Sequence, residues 1–552
     1  MKKYVIFTLF LITVLGGFLR IYNLSHSPPS LNWDEAALGY NAYSVSKTLK
    51  DEYKKTLPFF TRSFDEYKSM LPVYLMIPSI SIFGLNEVGV RFPSSLMGTL
   101  EIILIYLISR CFFKSEKIAL VSALVFAIEP WSIELSRVYQ EANTALFFLL
   151  MGLLMYLYSK RRNYLLPFSV IFLMLSMYSY NSNKILIPLL LIVIVSINWK
   201  ELKRYNHIVK KISLLILTFF LVIFAFLAIS GQALARAGST NIFILWPITD
   251  VLKPLKESHV LGGVLGFLFH NQYFYFLWEI IGRYISYFSP MNLFIREPLE
   301  PSTKVPDNSL FYPFEFIPWI VGLYFLITRR SNKKEFLSLM ILSPIPAIFT
   351  WNWFHPGRVM SLFALYSILI SVGIVETITF ISRRLYNLRY LRFWETGFYV
   401  LFSVLALLSA FFLFDAINVQ LPIRDSGNWQ PGFRETVPSV VKEGGNYKTV
   451  VIETPHAQPY IFYLFYGKYD PAIYQDELDL IKIGTPRKVY DFGKYEFRKI
   501  DWFDDKNRQN TLFVGNENNL PDMEISKDKN VNLILLVKDS LGNVVSKLVG
   551  TK

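Results

Sequence analysis

Runs of apolar residues long enough to cross a lipid bilayer recur through the first 415 residues of this chain. Of its 552 residues, 53% are hydrophobic and 17% aromatic, which is too apolar for an ordinary soluble enzyme. The sequence therefore predicts an all-α polytopic membrane protein with about eleven transmembrane helices. The predicted spans are 4–22, 93–111, 118–135, 143–158, 164–180, 184–198, 211–230, 312–328, 335–350, 358–380 and 396–415.

Lysine and arginine are unevenly distributed among the loops. With the N-terminus inside, the predicted inner segments hold 21 of these residues, and the short outer loops hold three, Arg137, Lys184 and Arg358. By the positive-inside rule this ratio favours a multi-pass protein of the cytoplasmic membrane with its N-terminus inside. The first apolar run is expected to be retained as a helix, because no small-residue cleavage site follows it.

Three longer segments are then predicted to lie outside the cytoplasm. They are the first outer loop at 23–92, a second large outer loop at 231–311, and the C-terminal part at 416–552. The last contains strand-like runs such as YKTVVIET and NLILLVKD, together with turn signals. We expect a transmembrane domain at 1–415, followed by a small extracytoplasmic α/β domain at 416–552. The run 70–84 carries two prolines and predicts an interfacial or re-entrant helix.

Composition also restricts the partners. The net charge of +14 would suggest nucleic acid in a soluble protein, but here the basic residues follow the membrane topology, so no nucleic acid partner is expected. The single cysteine, Cys111, excludes an intrachain disulfide. No phosphate-binding glycine loop and no zinc spacing of His and Cys is present in the sequence.

The stretch SLNWDEAALGYNAYSV, at 30–45, places Asp34 and Glu35 just beyond the first span. One interpretation is structural, with Asp34 capping a helix that starts near residue 33. The other is catalytic, because a carboxylate tuned by its neighbours can accept a proton from a hydroxyl or amine.

A second acidic site is FDEYKSMLPVYL, which contains Asp65, Glu66 and Lys68. These residues are either a solvated charged turn or a functional group. In the functional interpretation the carboxylates bind a divalent cation and Lys68 binds a phosphate. The one cofactor that the sequence suggests is a divalent cation.

Further basic residues are predicted near the outer ends of spans. Arg91 precedes Pro93 in EVGVRFPSSL, and it either anchors at the interface or reaches a lipid phosphate. Arg137 lies four residues before Glu141, a spacing typical of a helical ion pair. His355 and Arg358 belong either to an aromatic belt or to an electropositive pocket for a phosphate leaving group.

Taken together, these motifs resemble the GT-C fold glycosyltransferases that use phospholipid-linked sugars. Within that fold, the motifs resemble most those of the bacterial relatives of dolichyl-phosphate-mannose–protein mannosyltransferases and of the aminoarabinose transferases. The resemblance rests on the acidic pair after the first helix and on YKSMLPVYL followed by RFPSS, with further support at LSRVYQEANTALFF and FHPGRVMSLFALY. The lysine segment reads KSMLP where relatives have Lys-Pro-Pro-Leu.

The resemblance implies a membrane enzyme that transfers a sugar from a polyprenyl-phosphate donor to an extracytoplasmic acceptor, which is a protein, a lipid or an envelope glycan. It implies inversion at the anomeric carbon, with Asp34 as base beside Glu35. Lys68 is then the first candidate to bind the donor phosphate, followed by Arg358, Arg137, Arg91 and His355. Two alternatives stay open, a polytopic transporter or lipid flippase and a non-catalytic envelope scaffold.

Overall fold

The computed structural model of the protein describes residues 2–64, 66–138, 140–229, 268–269, 271–328, 334–384, 391–454, 458–478, 491–538 and 542–552. Most of these residues are helical. The helices are α1 Lys3–Ile21, α2 Trp33–Thr48, α3 Leu71–Phe83, α4 Glu87–Phe113, α5 Glu116–Ile128, α6 Pro130–Val138, α7 Gln140–Ser159, α8 Leu166–Met177, α9 Asn183–Ile197, α10 Trp199–Lys203, α11 His207–Ile229, α12 Gln272–Ser286, α13 Pro290–Phe294, α14 Phe316–Thr328, α15 Lys334–Leu342, α16 Ile345–Ile348, α17 Met360–Arg384, α18 Leu391–Asp415, α19 Leu421–Arg424, α20 Phe433–Gly444, α21 Tyr460–Tyr466, α22 Pro471–Leu478, α23 Trp502–Asp505 and α24 Asp522–Ile525. The strands are β1 Phe60–Ser63, β2 Glu66–Ser69, β3 Thr449–Ile452, β4 Tyr495–Phe497, β5 Thr511–Gly515, β6 Val531–Lys538 and β7 Val544–Thr551.

Within the described residues, six helices are long and apolar enough to cross a membrane, namely α1, α4, α7, α11, α17 and α18. The bent pair of α5 and α6 gives a seventh candidate if it forms one span. The predicted spans 164–180, 184–198 and 312–328 fall on the shorter apolar helices α8, α9 and α14. The multi-pass helical architecture is therefore confirmed, whereas the total of eleven spans stays a prediction.

Two predicted spans are interrupted by proline. The run 118–135 bends by 57° between α5 and α6, because Glu129 adopts an extended conformation before Pro130. The run 335–350 divides into α15 and the short α16, which begins directly after Pro344. The prediction of one continuous helix in each place was wrong.

Helix α4 begins earlier than the sequence predicts. It starts at Glu87, and Pro93 lies inside it rather than in its first turn. Asn86 explains this early start, since its side-chain oxygen accepts a hydrogen bond from the backbone N–H of Gly89 at 2.9 Å. Arg91 consequently lies within the helix, one turn after Glu87.

The chain divides into two compact units. Unit 1 comprises Met1–Tyr22, Phe64–Ser69 and Ser94–Phe414. Unit 2 comprises Asn23–Ser63, Met70–Pro93 and Asp415–Lys552. Unit 2 thus includes most of the predicted first outer loop as well as the C-terminal part, whereas the sequence suggests a division at 415.

In unit 1, α14 and α17 pack with their backbones almost in contact. A Cβ atom added at Gly373 would lie 1.8 Å from the carbonyl oxygen of Pro318, and one at Gly322 would lie 2.0 Å from that of Leu369. Small residues of this kind let apolar helices approach closely where the surrounding lipid provides no hydrophobic drive.

The sheet of unit 2 has five strands in the order β4-β3-β5-β7-β6. Strand β3 runs parallel to β4 and β5, while β7 pairs antiparallel with β5 and β6. The inner strand β3 reads TVVI, a largely apolar run typical of a strand buried on both faces. The strands predicted from YKTVVIET and NLILLVKD are confirmed as β3 and β6.

Unit 2 also joins the first outer loop to the C-terminal helices. The Tyr40 hydroxyl in α2 donates to the backbone oxygen of Tyr469 at 3.1 Å. The Gln475 amide in α22 donates to Ser44 Oγ and to the backbone oxygen of Asp51, both at 3.0 Å. These bonds hold α2 and the loop that follows it, which positions the acidic pair.

Candidate active site

Helix α2 begins with a reciprocal cap. The Asn32 side chain accepts a hydrogen bond from the backbone N–H of Glu35 at 2.8 Å, and Glu35 Oε2 accepts one from the backbone N–H of Asn32 at 3.0 Å. This capping box satisfies N–H groups that a helix start leaves without internal partners. The cap is therefore Asn32, and the interpretation of Asp34 as the capping residue was wrong.

Glu35 is also bound by Arg91. The guanidinium donates from Nε to Glu35 Oε1 at 2.8 Å and from Nη2 to Oε2 at 3.1 Å, and both side chains are buried. Such a two-pronged ion pair fixes orientation as well as charge. Glu35 therefore has a structural role at the start of α2. The adjacent carboxylate, Asp34 at the second helical position, is half-buried.

Arg91 uses all of its donors. Its remaining N–H groups bind the backbone oxygens of Leu24 at 3.0 Å, Pro28 at 2.8 Å and Ser30 at 2.6 Å. A guanidinium carries five N–H donors, and these three bonds together with the two to Glu35 occupy every one. In this conformation no N–H of Arg91 is left for a lipid phosphate, and the residue organises the chain that leads into α2.

Residues from the C-terminal part complete this environment, and no sequence motif points to them. The Tyr466 hydroxyl donates to Glu87 Oε1 at 2.9 Å, and Arg434 Nε lies 3.7 Å from the same oxygen. The ring of Trp429 lies 6.0 Å from the Arg91 guanidinium carbon. The only local signal is the spacing of Glu87 and Arg91, which places both on one face of α4.

Unit 1 contains the second predicted group. Lys68, in β2, is buried, and its Nζ lies 3.9 Å from Oε2 of Glu141 at the start of α7. Glu66 in the same strand is half-buried, and Asp65 lies outside the described residues. Nowhere in the described ranges do three or more His, Cys, Asp or Glu side chains form a group able to hold a metal ion. Metal binding by Glu66 and Asp65 stays a prediction.

Arg137 lies at the end of α6 and is fully buried. Its Nη1 donates to the backbone oxygens of Leu19 and Arg20 at 3.2 Å and of Tyr22 at 2.9 Å. These oxygens belong to the last turn of α1 and to its C-cap, Tyr22, where a cation is favourable because the helix leaves its final carbonyls without internal donors.

Two basic residues of unit 1, Arg283 and Arg358, both bind Thr350, and His355 lies three residues before Arg358 and accepts its backbone N–H at 3.2 Å, so that the three form a basic cluster. Arg283 donates to the backbone oxygen of Thr350 at 2.7 Å, and Arg358 donates to the Thr350 hydroxyl. The backbone N–H of His355 donates to the Tyr287 hydroxyl at 3.1 Å. The structure therefore brings the predicted His355 and Arg358 together with Arg283 of α12.

The Arg283 side chain is held from two further sides. Its Nε lies 3.1 Å from Glu279 Oε2, one turn earlier in α12, and its guanidinium carbon lies 5.1 Å from the centre of the Trp353 ring. Arg358 is half-buried, so of the two arginines it is the one with more exposed surface. The cluster is electropositive and flanked by aromatic rings.

Part of this chain is similar to a known protein family. Residues 68–229 match the model of a family described as dolichyl-phosphate-mannose-protein mannosyltransferase. The matched stretch covers under a third of the chain and includes Lys68, Arg91, Arg137 and Glu141. Among curated proteins, no sequence matches this chain.

Solved structures resemble most of the chain. ArnT from Cupriavidus metallidurans bound to undecaprenyl phosphate is similar at 13% identity with a TM-score of 0.52, over 99% of this chain and 98% of that chain. ArnT in the apo state gives a TM-score of 0.51 at 12% identity, with the same coverage. The archaeal oligosaccharyltransferase AglB from Archaeoglobus fulgidus, in complex with an inhibitory peptide and a dolichol-phosphate, gives 0.46 at 14% identity. That match covers 82% of this chain, which spans only 62% of AglB. The likeness to ArnT over nearly the whole of both chains confirms the architecture that the motifs implied, and this chain has the GT-C fold.

Proposed function

We propose that this protein is an integral-membrane glycosyltransferase. It transfers a sugar from a polyprenyl-phosphate donor to an acceptor outside the cytoplasm, with Asp34 as the general base. The observation that carries the proposal is the acidic pair itself, in which Glu35 is locked by Arg91 and Asn32 while its neighbour Asp34 keeps exposed surface. The GT-C fold and the undecaprenyl phosphate bound in the ArnT structure support a lipid-phosphate donor.

The assignment of the base to Asp34 follows from the partners of Glu35. Both oxygens of Glu35 accept hydrogen bonds from the buried Arg91 guanidinium, and Oε2 also accepts the backbone N–H of Asn32. Proton uptake by Glu35 would weaken an ion pair that is removed from water, which is costly. Asp34 is half-buried and is oriented by the same rigid helix start, so we assign the role of proton acceptor to it.

The chemistry is a single displacement. The acceptor hydroxyl or amine gives its proton to Asp34, and its electron pair forms the new bond to the anomeric carbon. The bond from that carbon to the phosphate oxygen breaks, and polyprenyl phosphate leaves with the electron pair, so the anomeric configuration inverts. Cations stabilise the charge that develops on the phosphate. We assign this role first to Lys68, then to Arg358 and His355, and last to Arg137, whose Nη1 already binds carbonyls of α1.

The proposal is tested by measuring sugar release from a radiolabelled polyprenyl-phosphate donor by the purified protein. Asp34→Asn is expected to lower turnover by about a hundredfold or more, which is the usual contribution of a general base. Asp504→Asn is a matched control, because Asp504 also lies in the first turn of a helix of unit 2 and is exposed. Wild-type turnover in Asp34→Asn would remove Asp34 from the mechanism, and thermal unfolding of each variant reports whether the fold is intact.

A further inference from the structure

A large cavity lies in unit 1 among residues that the mechanism does not use. Its volume is about 1280 Å³. The walls come from the C-terminal ends of α4 and α7, from the turn that joins α4 to α5, and from α17. Ligand pockets are typically about 300–1,000 Å³, so there is room for a substantial group.

The lining residues identify which end of unit 1 this is. They include members of three loops that the sequence predicts on the inner side of the membrane, at 110–117, 160–162 and 200–211. The structure thus brings these three loops together at one end of the helices. The distribution of lysine and arginine predicts that this end faces the cytoplasm.

Two of the cations in the cavity wall are neutralised by carboxylates. Arg110 Nε lies 2.9 Å from Glu116 Oε1. Lys160 Nζ lies 3.6 Å from Glu201 Oε2 and also pairs with Glu335. These pairs account for three of the carboxylates that line the cavity.

Arg161 and Lys114 differ from these cations. Both line the cavity and are exposed, and across the described ranges neither has a carboxylate within ion-pair distance. Arginine can bind a phosphate through two parallel hydrogen bonds, and lysine adds a compact charge. The cavity therefore offers two charges that suit an anion.

Part of the cavity wall is apolar. Ile118, Val372 and Val375 form a buried cluster, against which Phe113 and Phe325 pack, and all five residues line the cavity. A soluble anion gains nothing from such a wall, whereas the acyl chain of a lipid does. Basic pockets between transmembrane helices on the cytoplasmic side are suited to anionic lipid headgroups.

We propose that this cavity binds an anionic membrane lipid, with its headgroup phosphate at Arg161 and Lys114 and the start of an acyl chain against the wall formed by Ile118, Val372 and Val375. The inference is independent of the glycosyl-transfer proposal. The rival explanation is that Lys114 and Arg161 only stabilise the C-terminal ends of α4 and α7, because they lie one and two residues beyond those ends. In that case the cavity has no lipid dependence.

Cys111 provides the reporter, because it lines the cavity, is half-buried and is the only cysteine of the chain. The full chain is placed in nanodiscs of phosphatidylcholine alone or of phosphatidylcholine mixed equally with phosphatidylglycerol, and its reaction with the uncharged reagent N-ethylmaleimide is timed. Phosphatidylglycerol is expected to slow the reaction by about tenfold, the factor 1 + [L]/Kd for a lipid in about tenfold excess over its Kd.

Two variants separate the site from general surface charge. The double variant Lys114→Gln/Arg161→Gln should lose the protection. Arg162→Gln should keep it, since Arg162 is the exposed neighbour of Arg161 and does not line the cavity. Native mass spectrometry should show phosphatidylglycerol retained on the wild type and on Arg162→Gln, and lost from the double variant.

Three outcomes overturn the proposal. The first is an equal labelling rate in the two kinds of nanodisc. The second is protection that survives in the double variant, which would show that the two cations do not bind the lipid. The third is full protection by inorganic phosphate in phosphatidylcholine nanodiscs, which would assign the cavity to a free anion instead of a lipid.

Discussion

Arg91 donates one hydrogen bond to each carboxylate oxygen of Glu35, a residue 56 positions earlier in the chain, and both side chains are buried. The same guanidinium binds three backbone oxygens between Leu24 and Ser30. One side chain therefore fixes the segment that leads into α2, the cap of that helix and, through the helix, the adjacent Asp34.

Substitution of Arg91 by lysine should disrupt this arrangement even though the charge is kept. Lysine offers three donors in place of five and cannot form the two-pronged pair. We expect Arg91→Lys to lower the free energy of unfolding by about 3 kcal/mol, as for other buried ion pairs that lose a partner, and to reduce sugar transfer. Thermal unfolding in detergent measures the first effect. The exposed Arg162→Lys serves as control, and an Arg91→Lys protein as stable as wild type would contradict the structural role.

Stability should depend on pH through Glu52, which lies in the loop after α2. Burial, assisted by the charge of Asp51, raises the pKa of Glu52 to about 8, although the Asn41 amide and Arg62 oppose the shift. The Asn41 amide donates to Glu52 Oε1 at 3.2 Å, and the buried Oε2 accepts no hydrogen bond from any described residue. The neutral, protonated acid is therefore the form that fits the folded protein.

The sign follows from proton binding. Between about pH 4.5 and about pH 8 the folded protein keeps the Glu52 proton, whereas the unfolded chain has released it, so stability falls as the pH rises. Below this range the penalty is absent. We expect Glu52→Gln to flatten this part of the stability profile by a few kcal/mol. Unfolding midpoints measured at several pH values test this, with the exposed Glu524→Gln as control, and an unchanged profile in Glu52→Gln would count against it.

The membrane part of the fold was predictable because apolar runs report directly on burial in lipid. The breaks were not all found, although Pro130 and Pro344 are visible in the sequence, because a proline in an apolar run is compatible with either a kink or a stop. The sequence suggests that α4 begins near Pro93, because proline is common in the first turn of a helix. The Asn86 cap instead starts the helix at Glu87.

The candidate site was predictable only in part. The acidic pair and Lys68 stand out because charged residues beside apolar spans are unusual. The different roles of Asp34 and Glu35 could not be predicted, because they depend on the contact between Glu35 and Arg91. These two residues are 56 positions apart, and no sequence periodicity indicates such a contact. Contacts such as Tyr466 with Glu87 depend on the C-terminal part folding with the first outer loop.

Lys68 and Glu141 permit a test that distinguishes a phosphate ligand from a structural ion pair. If Lys68 binds the donor phosphate, Lys68→Gln should weaken donor binding by about tenfold or more, the usual value of a charge-assisted hydrogen bond. Glu141→Gln should leave donor binding unchanged or strengthen it, because it removes a carboxylate 3.9 Å from Lys68 Nζ. Donor affinity is measured by titration of the purified protein. Equal losses in both variants would indicate that the pair serves only the fold.

The contact between α14 and α17 should tolerate no added methyl group. At Gly373 a Cβ atom would lie 1.8 Å from the carbonyl oxygen of Pro318, so Gly373→Ala must push the two helices apart or strain their backbones. We expect a loss of about 1–3 kcal/mol, as for other overpacked contacts, seen as a lower unfolding temperature in detergent.

Gly397→Ala is the matched control, because Gly397 also lies in a membrane helix, α18, and nothing stands within 4 Å of its Cβ position. Alanine favours a helix over glycine by about 1 kcal/mol, so this control should be neutral or slightly stabilising. If Gly373→Ala unfolds at the wild-type temperature, α14 and α17 are not in backbone contact in the protein.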